Sequence, residues 1–356
     1  MAFLSRIRTQ ILSWWQDTPL PAGTSATFQS WHEFDELGNR WGAVEMAPRE
    51  RPATSPPPDD RDNTGSHQRA TATDDDDDDG PHNLNLVTWN VDYSSPHPAQ
   101  RLSAILARTL SLSPAVDIIF LQEVSRAAFA RLLEEREVRR AWFLSGADDA
   151  VFPAGQSSVT TVTLLSKARF SQSSSSSSPT SKKNPGPVWR VKYPSRFGRD
   201  ALCCDIFVPA AAPSSSSSST AQDGPGGGGV PVRRLRLINV HLDSLPIQPS
   251  LRPQQVAVAA ALLRSAGRVV ALVRENGLVD AWGKVRPGED GFTWGVDGRE
   301  PFPPCRMDRV AVVGVGVGGV EVLAPGYIPV GEVDGDEAVA WSDHSGVRCS
   351  FKLVGP

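Results

Sequence analysis

Hydrophobic pattern appears in two parts of this chain, a short one from Met1 to Trp15 and a long one that begins at Leu84. In the long part, compact apolar runs alternate with stretches of helical period. Leu84 to Asn90 reads as a buried strand. Pro98 to Leu112 follows as a helix, with Leu102, Ile105, Leu106, Thr109 and Leu110 on one face and a proline in the first turn, where a missing N–H costs nothing. Val116 to Leu121 is a second strand, and Ser125 to Arg140 a second helix with charge along its outer side. Strands then crowd together at Thr160 to Leu165, Asp200 to Val208 and Arg234 to Leu242. In the last of these, Leu235 and Leu237 face one way and Ile238 and Val240 the other, as in a sheet covered on both sides. A third helix, Pro253 to Arg264, leads to a short strand, Arg268 to Ala271. Asp308 to Val313 and Val347 to Leu353 complete the strands, and Val310 to Val320, broken by glycines, reads as two strands and a turn. The class is α/β.

The remaining stretches are read by composition. Pro56 to Gly80 is Pro, Asp, Thr and Ser without periodicity, the signature of a disordered linker. The expected organisation is therefore an N-terminal region over residues 1–80 and one folded domain over residues 84–354. Met1 to Trp15 is amphipathic and basic, which suits a helix docked on its own domain or a partner; a mitochondrial presequence is the lesser alternative. The tracts Ser173 to Ser178, Ser214 to Ser219 and Gly226 to Gly229 cannot bury anything and read as surface insertions. No stretch approaches the ~20 apolar residues of a membrane span.

Charge narrows the possible partners. The formal net charge is -4, yet Asp74 to Asp79 alone supplies six acids, so the folded part is close to neutral. That excludes a generic basic nucleic-acid binder; contact with a polyanion must be local or pass through a metal. The 4 cysteines, Cys203, Cys204, Cys305 and Cys349, have no zinc spacing and suit the reduced core of an intracellular, nuclear or cytoplasmic, monomer. No Gly-x-Ser-x-Gly elbow is present, which argues against a serine hydrolase.

Five apolar segments each end on a polar group: Asn90, Glu123, His241, Asp308 and the pair Asp343-His344. One such residue is a cap or turn; five in succession suggest a site on one sheet edge. The chemistry fits phosphate transfer. Glu123 and Asp343 are hard oxygen donors suited to Mg²⁺ or Mn²⁺. His344 would act on the phosphate or the attacking water, with Asp308 orienting its ring. Asn90 and His241 would donate hydrogen bonds to phosphoryl oxygens as charge builds on them.

Taken together, Thr88-Trp89-Asn90-Val91-Asp92, Leu121-Gln122-Glu123-Val124, Val240-His241-Leu242-Asp243-Ser244, Phe292-Thr293-Trp294, Arg306-Met307-Asp308-Arg309 and Ser342-Asp343-His344 resemble the endonuclease/exonuclease/phosphatase superfamily of metal-dependent phosphoesterases, closest to its tyrosyl-DNA phosphodiesterase 2 branch. The resemblance implies a four-layer αββα sandwich, two packed β-sheets flanked by helices. It implies a hydrolase that cleaves phosphodiester bonds at DNA ends or in 5′-tyrosyl protein–DNA adducts. It also implies that Glu123 is the metal ligand, that Asn90 and His241 contact phosphate, and that Asp343 and His344 are catalytic with Asp308 behind the imidazole. Arg199, in Gly198-Arg199-Asp200, matches a substrate-contacting arginine, and Trp294 offers a ring for nucleobase stacking.

The chain departs from that family at one motif. Gly-Asp-x-Asn, whose Asp and Asn position and activate the nucleophilic water, is expected after the strand that follows the third helix. Here Gly267 to Ala271 runs directly into Leu272-Val273-Arg274-Glu275-Asn276-Gly277-Leu278. Such groups contribute about 10²- to 10⁴-fold each, so this chain is expected to hydrolyse very slowly or not at all. Two other functions compete: hydrolysis of a different phosphoester, such as an inositol phosphate, sphingomyelin or RNA, and a non-catalytic module that binds phosphate-bearing partners.

Overall fold

The computed structural model describes residues 18–44, 83–152, 158–170, 184–209, 232–266, 277–329 and 338–353. The expectations for Met1 to Trp15, Pro56 to Gly80, the serine and glycine tracts and the strand Arg268 to Ala271 lie outside the described residues. Strands run in the order β1 (Ala26–Gln29), β2 (His32–Asp35), β3 (Arg40–Ala43), β4 (Asn83–Asn90), β5 (Ile118–Ser125), β6 (Trp142–Leu144), β7 (Val159–Ser166), β8 (Asn184–Lys192), β9 (Asp200–Pro209), β10 (Val232–Val240), β11 (Val279–Asp280), β12 (Ala311–Val312), β13 (Gly316–Leu323), β14 (Tyr327–Pro329), β15 (Ala338–Ala340) and β16 (Gly346–Lys352). Helices are α1 (Pro98–Leu110), α2 (Arg126–Glu134), α3 (Arg136–Ala141), α4 (Arg252–Arg264) and α5 (Ala281–Val285).

Two sheets carry the fold. One has 8 strands in the order β13-β16-β4-β5-β7-β6-β2-β3, the other 4 in the order β1-β8-β9-β10. Leu84, Leu86, Ile118, Phe120 and Leu165 meet Val188, Leu202, Cys204 and Ile206 between the sheets. The alternate residues Val87, Trp89, Ile119 and Leu121 face outward and bury Leu102, Ile105, Phe129 and Leu132 of α1 and α2. On the far side, Trp189, Val191 and Cys203 pack against Val258 and Leu262 of α4. The period-2 alternation of each strand thus feeds two cores at once, and the result is the four-layer αββα sandwich. Cys203 and Cys204 point to opposite faces, as neighbours on a strand must.

Several elements differ from their expected form. The expected domain start at Leu84 leaves out three strands, since β1 joins the small sheet and β2 and β3 form one margin of the large one. The helix expected over Ser125 to Arg140 is broken at Glu135, whose backbone is extended (φ -60, ψ 119). Its carboxylate accepts from Ser103 Oγ on α1 at 2.5 Å and from Arg131 Nε at 3.0 Å. This tertiary tie outbids local helix propensity. Cys305 is only half-buried, unlike the other three cysteines, which lie in the core. Among the described residues no helix is long and apolar enough to cross a membrane.

Candidate active site

Register brings the polar strand ends together. Parallel pairing of β4 with β5 sets Asn90 beside Gln122, and antiparallel pairing of β16 with β4 sets Val347 beside Thr88, so the turn before β16 arrives at the same edge. The β5–β7 ladder shifts between Leu121 and Val124, and Glu123 at that irregularity has a φ of 56°. A non-glycine residue in this region costs on the order of 1 to 3 kcal/mol. The bulge turns the Glu123 carboxylate out of the ladder and into the space beyond the strand ends.

Beneath this edge a buried amide pair fastens the two sheets. Asn239 on β10 donates from Nδ2 to the carbonyls of Leu121 at 3.2 Å and Val162 at 3.0 Å, across the sandwich. Its Oδ1 accepts from Gln122 Nε2 at 2.8 Å, and the same Nε2 lies 2.9 Å from Thr88 Oγ1. With its amide satisfied on both sides, Asn239 fixes the end of β10, and therefore His241, relative to β5.

The expected residues form one continuous constellation. Asp308 Oδ2 lies 2.7 Å from His344 Nδ1, and His344 Nε2 lies 3.5 Å from Asn90 Nδ2. Asn90 Nδ2 in turn donates to Glu123 Oε1 at 3.1 Å, and His241 Nε2 stands 3.1 Å from that same oxygen. Asp343 sits at the rim, with Oδ1 4.0 Å from His344 Nε2 and Oδ2 accepting from the Trp294 indole at 3.0 Å. Glu123, His241, Asp308 and His344 are nearly buried, whereas the Asp343 side chain is 37% exposed. Arg199 lies beside His241, donating to the Leu242 carbonyl and, at 3.1 Å, to Ser244 Oγ. Trp294 is half-buried and bridged to His344 and Cys305, and its ring N–H donates to Asp343.

Several supporting groups escaped the sequence reading. Ser342 Oγ donates to Asn90 O at 2.7 Å and accepts from the His344 N–H at 3.0 Å, fixing the turn that carries the imidazole. Thr293 Oγ1 accepts from the N–H groups of Met307 at 3.1 Å and Asp308 at 3.0 Å. Arg101, itself buried, donates to the carbonyls of Val91, Asp92, Ser95 and Ala340 and pairs with Asp92 at 3.0 Å. One guanidinium thereby joins the loop after Asn90 to the strand leading to Asp343. A buried arginine on an apolar helix face and polar Asn239 inside an apolar strand were the available signals.

Electrostatics divides the site in two. Burial pushes the Glu123 carboxyl upward, but hydrogen bonds from His241, then Asn90 and the Tyr93 N–H, bring it down to about 2, so it is ionised at neutral pH. Burial lowers His241 more than Glu123 raises it, and Arg199 nearby lowers it further. His241 is therefore a neutral imidazole donating from Nε2. Burial likewise disfavours charge on His344, but Asp308, then Asp343 and Glu123, raise it to about 9. His344 is an imidazolium whose Nε2–H lies beside the Asn90 amide. Asp343 is pushed upward by its own burial, partly offset by His344.

Among the described residues no group of three His, Cys, Asp or Glu converges as a ready metal cage. The donor set does fit the open kind of site in which Mg²⁺ is held by one or two carboxylates, water and substrate phosphate. Glu123 is the ionised member, and among the described residues its Oε2 accepts from the Tyr93 N–H at 3.4 Å.

No protein-family model and no curated protein matches this chain. Solved structures do. A crystal structure of D. rerio TDP2 complexed with single-strand DNA product is 19% identical, covers 76% of this chain and 98% of its own, and has a TM-score of 0.49. TDP2 from C. elegans is 17% identical, covering 76% of this chain and 75% of its own at a TM-score of 0.48. The Xenopus laevis APE2 catalytic domain is 14% identical, covering 76% and 92% at a TM-score of 0.39. At these values no chemistry is carried over from them.

Proposed function

We propose that this chain binds the phosphate at a nucleic-acid 5′ end and is built as a Mg²⁺-dependent phosphodiesterase, with 5′-tyrosyl DNA adducts as the substrate class. The observation that carries the reading is the unbroken run of contacts Asp308, His344, Asn90, Glu123 and His241, drawn from separate strand ends on both sheets. The Asn90 amide and the His344 Nε2–H offer two donors to one opening, where a phosphoryl oxygen would sit and gain charge in the transition state. Held as imidazolium by Asp308, His344 stabilises that charge and can pass its proton to the departing oxygen. Glu123 and Asp343 would hold the divalent ion, which when bound neutralises the phosphodiester. Arg199, beside His241, would meet the next phosphate or the leaving group.

No described group takes the place of the water-orienting Asp and Asn, so slow turnover is expected, lowered by about 10²- to 10⁴-fold for the missing pair. The same gap favours a second reading, a phosphate-binding module without catalysis. Mg²⁺-dependent hydrolysis of a 5′-tyrosyl aryl phosphate, compared with Mg²⁺ titration by calorimetry, tests both. Slow release abolished by EDTA and by Glu123→Gln supports the enzyme. Phosphate-end binding that is indifferent to Mg²⁺ and to Glu123→Gln supports the module. No binding of 5′-phosphorylated oligonucleotide by the parent chain rejects both.

A further inference from the structure

The ladder between β9 and β10 stops at Val240, yet the residues just beyond it carry part of the site. Past that point side chains take up the backbone groups that a strand partner would otherwise satisfy. The His241 carbonyl accepts from Tyr193 Oη at 2.7 Å, the Leu242 carbonyl accepts from the Arg199 guanidinium, and the Asp243 N–H donates to Gln255 Oε1 at 2.9 Å. Gln255 stands on α4, wholly buried, and its Nε2 donates to the Pro194 carbonyl at 2.7 Å. It shares its helix face with the buried Ala259 and Leu262. An amide there costs free energy unless both of its ends are bonded, and both are. One side chain thus ties the loop between β8 and β9 to the segment that follows β10.

We propose that Gln255 is a positioning residue that sets the Arg199 guanidinium through Asp243 and Ser195. The relay is short. Buried Asp243, held by Gln255 through its N–H, accepts from Ser195 Oγ at 2.6 Å and from the Arg196 N–H at 3.0 Å. Ser195 Oγ accepts in turn from the N–H groups of Phe197 at 3.1 Å and Arg199 at 3.2 Å, so its one proton and both lone pairs are used and residues 195–199 are drawn into a turn. Arg199 closes the circuit on the Leu242 carbonyl and on Ser244 Oγ, one residue to either side of Asp243, and its guanidinium lies 4.9 Å from the centre of the Phe197 ring. These partners are a carbonyl and a hydroxyl, which leave the positive charge available to an anion. An arginine free to move would lose rotamer freedom on meeting that anion, whereas one held in advance has already lost it. This role rests on the phosphate-end reading of the site, so it is measured first without ligand.

Isotope-edited spectra of the arginine Nε–H groups in the full chain read the relay directly. The Arg199 signal, identified by its loss in Arg199→Lys, should stand apart from those of exposed arginines in the parent and move among them in Gln255→Met. The β4 and β5 amides should stay in place, as a control for folding. Ser195→Ala cuts the relay without touching α4 and should have the same effect, whereas Ser195→Thr keeps the hydroxyl and should keep the parent spectrum. An Arg199 signal that Gln255→Met and Ser195→Ala leave unmoved overturns the assignment. A second arm titrates a 5′-phosphorylated single-stranded oligonucleotide. Gln255→Met should weaken binding at least roughly 10-fold. With Arg199→Met already present, the same substitution should cost less than about 2-fold, because groups acting in one network are not additive. An equal loss in both backgrounds overturns the relay. So does a matching loss in Val258→Ala, which thins the packing of α4 on the small sheet and spares Gln255. A parent chain that binds no oligonucleotide rejects the phosphate-end reading alone, and the ligand-free spectra still decide whether Gln255 sets Arg199.

Discussion

The two surroundings of β10 contrast sharply. At its C-terminal end polar side chains are bonded across the sandwich: Asn239 reaches two carbonyls of the opposite sheet, and His241 meets Glu123. Along its flank, among the described residues, there is apolar surface and a cavity of ≈ 480 Å³. Directional bonds define the first region to within a hydrogen-bond length, whereas the second is defined by volume and by what can be laid into it. A site that must hold a phosphate depends on the first kind of order, and the second decides how firmly that order is supported.

Breaking the polar region should produce the largest effects. Arg101→Met strips Asp92 of its buried partner and leaves the carbonyls of Val91, Asp92 and Ala340 short of donors. Loss of one member of a buried pair costs about 3 to 5 kcal/mol, to be read from the urea midpoint. Asn239→Leu keeps the volume but orphans the Leu121 and Val162 carbonyls and Gln122 Nε2; about 2 to 3 kcal/mol should be lost, together with phosphate-end affinity.

The apolar flank sharpens the contrast through one substitution. Leu237→Ala, at a half-buried position on the cavity wall, should cost about 1 to 2 kcal/mol in the same denaturation, less than a fully buried leucine.

The smallest effect concerns acid. Burial would raise the Asp280 carboxyl, but Arg306, bonded to it at 2.8 Å through Nη1, and then Arg309 hold it below its usual value. A carboxyl lowered in the folded state contributes stability that is complete above its unfolded value of about 4 and is lost as pH falls through the folded one. With its side chain 33% exposed, Asp280 should contribute under about 1 kcal/mol after screening. Asp280→Asn should therefore be slightly less stable than the parent at pH 6, and the difference should shrink as pH falls below about 4.

Much of the site was legible because chemistry and strand period coincide in the sequence. Asn90, Glu123, His241, Asp308, Asp343 and His344 each close an apolar run, and all six enter the constellation. The role of Arg101 was not legible, because a buried guanidinium shares its helix face with leucines. The split of the second helix at Glu135 was hidden too, since its cause is Ser103, 32 residues away.

By itself, the sequence determined which faces are apolar, and so the helices, the strands and the two-sided burial of the small sheet, because periodicity is a local property of covalent order. It also determined which chemical groups were available. Tertiary structure decided the rest: that β1 to β3 complete the sheets from ahead of the expected domain, that a bulge aims Glu123 at His241, and that His344 carries a charge while His241 does not. These are matters of distance and dielectric between residues far apart in the chain, and only folding sets them.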